Sequence, residues 1–258
     1  MHLNVLGHMV VIDDGARIPV SSAKQRTLLA LLALNARQPV ATDVIMRELW
    51  PEQEQAATAG TLRTHVFQLR RTLGTAQRPQ EAALLRAECG GYLFADEVRL
   101  DVDEFNRLVA EGRGAVRTGD LDTADARFEQ ALAVWRGPVL ADVPRGPHLE
   151  AVCWRLEEAK ILVHGHRADI KLRLGMHREM LPDLAGLVQS YPLDEGIALK
   201  YMIALHLSDR RADALTHYQH LRRKLGDGLG LDPSRRLQEA HAAILNARSS
   251  TIDLLKFA

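Results

Sequence analysis

Apolar positions along this 258-residue chain change their rhythm near residue 100. Before it, short apolar runs at Leu3 to Leu6, Met9 to Ile12 and Arg17 to Val20 are parted by Gly7 and by Asp13, Asp14 and Gly15, the pattern of a small antiparallel sheet. A helix is predicted from near Ser22, with Leu28, Leu29, Leu31 and Leu32 as its buried stripe and Pro39 beyond its end. Thr42 stands where a cap would open a second helix carrying Val44, Ile45 and Leu49, stopped by Trp50 and Pro51. A third is predicted over residues 60 to 73. At about 100° per residue, its Leu62, Val66, Leu69 and Leu73 fall in one narrow sector, which is the face turned to a core. Between Leu84 and Phe94 lie two β-like runs around Gly90 and Gly91, where the chain can take positive φ.

Helix, turn, helix and then hairpin is the order of a winged helix-turn-helix, the hairpin being the wing. From about Leu100 to Asn246 the pattern is helical throughout. Ala124, Phe128 and Ala131 stand at offsets of four and seven, with Gly112 twelve residues before Ala124, a spacing like that of a tetratricopeptide helix pair. A period of 34 then relates Ala168 to Met202, Met180 to Ala214, Leu184 to Tyr218 and Leu187 to Leu221, with Pro192 where such a repeat ends. The expected fold is an α+β winged helix-turn-helix over residues 1–96, an all-α tetratricopeptide-like domain over 100–247, and a short tail over 248–258. Stacked helix pairs present a concave surface suited to protein or peptide.

Charge adds one local feature to this frame. Lys+Arg and Asp+Glu are both 33, so nothing global points to nucleic acid or membrane. Yet no acidic residue lies between Glu54 and Glu81, a stretch that holds Arg63, Arg70, Arg71 and Arg78. On the third helix, Thr64 and Arg71 point almost directly away from the buried sector, with Arg63, Phe67 and Gln68 flanking them and Arg70 nearer the boundary. Such side chains suit a DNA major groove, where Arg forks onto guanine, Gln onto adenine, and an apolar group meets the thymine methyl. The same pattern also describes a solvated amphipathic helix, and the helix alone does not choose. Its neighbours favour the groove, and Arg86 on the wing is placed to reach phosphate or the minor groove.

Other chemistry is sparse. No GxxxxGK[ST] run, GxGxxG after a strand, GxSxG or HExxH occurs, so an enzyme is the least favoured reading and no cofactor is expected. His164 and His166, two apart on a helix, diverge by about 200° and cannot converge on one ion, so no metal is expected. Asp120, Asp122 and Asp125 cluster at a turn and helix start, where carboxylates favour the helix dipole. Cys89 and Cys153 lack the spacing of a disulfide framework or zinc site. The N-terminal apolar stretch is interrupted by Asn4 and His8 and reads as strand and turn, not as a signal peptide. No run reaches the roughly 18 apolar residues of a membrane span. A cytoplasmic protein without a membrane partner is expected.

Taken in order, AKQRTLLALLALNARQPV, the helix ending in ELWP, TLRTHVFQLRRTLG and GGYLF resemble the OmpR-type winged helix of the Streptomyces antibiotic regulatory protein family of transcriptional activators, in its small form. LDVDEF, ALAVWRGPVLAD, LGMHREMLPDL, YPLDE and LHLSDRRADALTHYQHLRRKLGDGLGLDP are similar to the bacterial transcriptional activation domain that follows it there. The resemblance covers nearly the whole chain. It implies a tandem pair of protomers on direct repeats of double-stranded promoter DNA near the −35 region, recruiting RNA polymerase holoenzyme with its sigma factor. Carried over by position, it implies DNA contacts by Thr61, Arg63, Thr64, Phe67, Gln68, Arg70 and Arg71, with Arg86 on the wing and Lys24 and Arg26 as weaker phosphate candidates. Phe67 stands where this family usually has a small or polar residue. The loop from Trp50 to Gln55, with Glu52 and Glu54, is the expected polymerase contact. With the sequence ending soon after the helical domain, the ATPase module of larger members is not expected. The alternative from another class is a helical-repeat adaptor whose N-terminal domain binds protein in place of DNA.

Overall fold

A computed structural model describes residues 1–35, 38–51, 59–74, 84–88, 90–94 and 98–246. It divides into two compact units, Met1–Ala110 with Gln130–Lys160, and Glu111–Glu129 with Ile161–Ala258.

The first unit begins with β1 (His2–Asn4), β2 (Val10–Asp13) and β3 (Ala16–Ile18), paired antiparallel as the alternating runs suggest. A fourth strand, β7 (Arg99–Leu100), lies parallel to β1 at the other edge, giving the order β3-β2-β1-β7. Two residues carry no readable period, so this strand has no local signal. Helices α1 (Ala23–Leu34), α2 (Thr42–Leu49) and α3 (Ala59–Thr72) follow, and Leu28, Leu29, Ile45, Leu62, Val66 and Leu69 are buried. The second sheet is β4 (Val40–Ala41), β6 (Gly91–Phe94) and β5 (Leu85–Glu88), in that order. β5 and β6 form the wing, in register from Leu85 with Phe94 to Glu88 with Gly91.

Two local expectations are corrected here. Thr42 does not cap α2; its hydroxyl donates to the Gly90 carbonyl at 2.7 Å and so fastens the wing turn. Only Gly90 of the glycine pair has positive φ, at 77°. Gly91 is required for room, because a Cβ there would lie 2.1 Å from the Val40 carbonyl oxygen.

Residues 134–149 are laced onto this domain, although they lie beyond it in sequence. The Arg136 and Leu140 amides donate to the Leu6 and Val5 carbonyls at 2.8 and 2.9 Å. Asp142 accepts from the Met9 amide at 2.8 Å and pairs with Arg26 at 2.5 Å. Asp101, the first residue of α4 (Asp101–Thr118), accepts from the Val5 and Leu6 amides and pairs with Arg136. Glu48 of α2, only 3% exposed, takes the amides of Gly146, His148 and Leu149 at 2.7, 2.9 and 3.1 Å. Those are the first amides of α6 (Pro147–Arg173), so a carboxylate a hundred residues away in sequence supplies that helix with its N-terminal acceptor. Gly146 leaves the space: a Cβ would meet the Glu48 carboxylate at 2.8 Å. These contacts explain why the compact units divide inside α4, α5 (Leu121–Ala133) and α6, and not at residue 96 or 100.

The second unit holds α7 (Leu181–Ser190), α8 (Glu195–Leu207), α9 (Arg211–Leu229) and α10 (Arg235–Asn246) with the latter part of α6. Ala168, Met202, Met180, Ala214, Leu184, Tyr218 and Leu221 share one core cluster, and Leu187 packs against it, so the 34-residue period marks residues that meet in space. A Cβ on Gly112 would lie 2.7 Å from the Phe128 ring, which accounts for the glycine twelve residues before Ala124. Asp120 accepts from the Thr123 amide at 3.0 Å, and Asp125 pairs with Arg167 at 2.9 Å, so these acids are structural. His166 stacks on Phe128 at 5.7 Å.

Candidate nucleic-acid interface

The sector of Leu62, Val66, Leu69 and Leu73 is buried, and this fixes the rotation of α3 about its axis. Thr61, Arg63, Thr64, Phe67, Gln68 and Arg71 are consequently exposed on the opposite side. Phe67 is 59% exposed, an unusual position for a ring that size. Among the described residues, the Arg63 and Arg71 side chains make no hydrogen bond or ion pair. Arg63 also lines an open cleft of about 380 Å³ with Thr42, Leu62, Glu88, Gly90 and Tyr92, so the start of α3 and the wing border one groove. The Thr64 hydroxyl bonds back to the Gly60 carbonyl at 3.1 Å.

The remaining expected contacts are engaged within the domain. Arg70 is half-buried, and its Nε and Nη2 donate to the Leu85 carbonyl at 3.0 and 2.7 Å, which ties α3 to β5. Lys24 donates to the Leu49 carbonyl and lies 5.3 Å from the Trp50 ring centroid, closing the C-terminus of α2. Arg26 is held by Asp142 and by the Val20 carbonyl. Arg86 sits half-buried on β5 of the wing. Trp50 packs on His65 of α3 at 5.7 Å, so the residue that ends α2 also steadies the next helix. Burial, and then the nearby Lys24 charge, hold the His65 imidazole below its ordinary pKa. Glu52, Glu54, Arg78 and Cys89 lie outside the described residues. Sequence periodicity passed over Gln25, whose Nε2 donates to Gln68 Oε1 at 3.1 Å. Nothing local marks it, because its partner lies 43 residues on.

The sequence profile of the bacterial transcriptional activator domain matches residues 100–245, and that of the transcriptional regulatory protein C-terminal domain matches residues 18–94. Regulatory protein DnrI of Streptomyces peucetius is 40% identical over 252 residues, 96% of this chain and 93% of that one. The chain belongs to the Streptomyces antibiotic regulatory protein family of transcriptional activators. Regulatory protein AfsR of Streptomyces coelicolor is 33% identical over 98% of this chain, which spans 25% of AfsR. The solved structure of Mycobacterium tuberculosis EmbR in complex with a low affinity phosphopeptide matches with a TM-score of 0.86 at 30% identity, over 99% of this chain and 67% of that one. These relatives are transcriptional regulators, and regulators of this kind bind DNA. Within the family frame, the activator-domain profile begins at Leu100, one residue before the Asp101 that fastens α4 to Val5 and Leu6, just after β1. Its match therefore includes the strap that the winged helix holds. Among the described residues no helix is long and apolar enough to cross a membrane, and no group of His, Cys, Asp or Glu is placed to hold a metal.

Proposed function

We propose that this family member is a sequence-specific activator, dedicated to an antibiotic or other secondary-metabolite gene cluster. In this reading it binds direct repeats near the −35 region as a tandem pair and recruits RNA polymerase holoenzyme, sigma factor included. The outer face of α3 carries the proposal: two arginines without partners among the described residues, an amide, two hydroxyls and an exposed ring stand on one side of a helix whose other side is anchored in the core. A B-form major groove about 12 Å wide admits such a helix. Arg63 and Arg71 fork onto guanine or phosphate, Phe67 meets a thymine methyl, and the Thr64 hydroxyl, whose proton serves the Gly60 carbonyl, can accept from a base amino group, with Thr61 beside it on the same face. Arg86 carries the wing to the neighbouring backbone. Arg70, Lys24 and Arg26 fix the parts that make these contacts, since their donors already serve carbonyls and a carboxylate. The segment entered at Trp50, with Glu52 and Glu54, is the proposed polymerase contact.

A DNase footprint across promoters of the chain's own gene neighbourhood tests the reading. A protected tandem repeat is expected, with affinity falling by about a thousandfold or more between roughly 50 and 200 mM salt. Absent protection, or protection indifferent to salt, would sink it. Charge reversal at Glu52 and Glu54 should leave the footprint intact and lower transcription; transcription unchanged removes this segment from the polymerase interface.

A further inference from the structure

Three polar side chains are buried among the described residues: Gln25 at 9% exposure, Thr27 at 2% and Glu48 at 3%. Thr27 and Glu48 serve residues 144–149, through the Pro144 carbonyl and the first amides of α6. Gln25 faces the other way, from the first turn of α1 to the exposed Gln68 on α3. We infer that Gln25 is a positioning residue for DNA sequence recognition: it holds the Gln68 carbonyl oxygen, so that Gln68 presents its amide NH₂ to the groove and selects guanine over adenine. This rests on α3 being the groove-reading helix.

The chemistry follows from the donor and acceptor pattern of the bases. A glutamine that reads adenine uses both ends of its amide, the oxygen accepting from N6 and the nitrogen donating to N7. With Oε1 drawn back to Gln25 Nε2 at 3.1 Å, one of its two acceptor sites is taken and the oxygen is turned toward α1, which disfavours the two-point pair with adenine. Guanine shows two acceptors, N7 and O6, and matches an amide that only donates; thymine shows one, O4, and cytosine shows a donor. Releasing Gln68 would leave the buried Gln25 amide without this acceptor, a state that costs free energy. Gln25 is also a firm post, because α1 is buried along Leu28, Leu29, Leu31 and Leu32.

Selection from a random duplex library, using the full chain, tests this with four proteins: wild type, Gln68→Ala, Gln25→Leu and Gln25→Glu. Loss of preference in Gln68→Ala identifies the base pair that Gln68 reads. At that pair, wild type should favour guanine over adenine by about tenfold or more. Gln25→Glu offers only acceptors, so Gln68 turns its NH₂ inward and its oxygen outward, and selection should move to adenine or cytosine. Gln25→Leu removes the hold without adding charge and should admit adenine, lowering the guanine-to-adenine ratio about tenfold. If the buried carboxylate of Gln25→Glu prevents folding, as circular dichroism would reveal, Gln25→Leu carries the test. Adenine selected by wild type, or guanine preference unchanged in the folded Gln25 variants, overturns the inference. A firm consensus that Gln68→Ala does not alter overturns it also, while leaving DNA recognition by α3 standing. No consensus with any of the four proteins overturns DNA recognition itself, and the inference with it.

Discussion

The outward face of α3 and the side of the same domain that carries residues 134–149 hold much the same kinds of polar side chain, disposed in opposite ways. On α3, Arg63 and Arg71 reach solvent with no partner among the described residues, and Phe67 stands bare beside them. On the strap side, Arg26 has Asp142, Arg136 has Asp101, and Glu48 has three amides. An interior interface keeps its polar groups satisfied, because a buried charge without a partner costs several kcal/mol. A surface meant for an outside partner leaves them to water until that partner arrives. Charge alone therefore does not mark the proposed DNA site; the state of the charge does.

The comparison predicts that strap variants act on stability and α3 variants on binding. The largest effect is expected for Glu48→Ala, which strands three amides at the start of α6 and should lower the unfolding free energy by about 3 kcal/mol in urea titrations. A loss under about 1 kcal/mol would mean that water satisfies these amides and that the contact is not an interior one. Arg63→Ala and Arg71→Ala should each weaken DNA binding by about 2 kcal/mol in salt-controlled titrations, while stability moves by less than about 0.5. Base readout shows as loss at one position, and phosphate contact as uniform weakening. Stability falling in step with affinity would erase the distinction between the two faces.

A double-mutant cycle on Arg26 and Asp142 should give a coupling of about 1 kcal/mol in stability, modest because both side chains retain some solvent access. Coupling that appears in DNA affinity and not in unfolding would return Arg26 to the binding surface. The smallest effect concerns pH. His65 lies under Trp50 with its imidazole held below the ordinary 6.5 by burial and then by Lys24. Stability from its neutral form is thus complete above pH 6.5 and is lost as pH falls through the lowered folded value. His65→Gln should flatten thermal stability across that acidic window. An unaltered pH slope would show that the inner flank of α3 does not depend on a neutral imidazole.

Much of this was legible along the chain wherever cause and effect lie within a few turns. The Leu62, Val66, Leu69 and Leu73 stripe set the rotation of α3, since a helix that must bury one sector has no freedom about the opposite one. The 34-residue period likewise named residues that share a core, because each helix pair repeats the same packing problem. Thr42 misled because a hydroxyl before a helix reads as a cap, while here the nearer acceptor is a carbonyl of the wing. Along the chain, Arg70 differed from Arg63 and Arg71 only in lying nearer the edge of the outward face, and Lys24 and Arg26 stood as weaker phosphate candidates. Only folding showed that Lys24, Arg26 and Arg70 meet Leu49, Asp142 and Leu85.

The sequence by itself determined the helices, the longer strands, the exposed set on α3 and the family, all of which rest on local periodicity and ordered motifs. Tertiary structure decided the rest: that residues 134–149 belong physically with the winged helix, that Glu48 serves α6, and that Gln25 grips Gln68. The reason is physical. Periodicity reports which side of an element avoids water, whereas a polar side chain's partner depends on which distant carbonyl, amide or carboxylate the folded chain brings within about 3 Å.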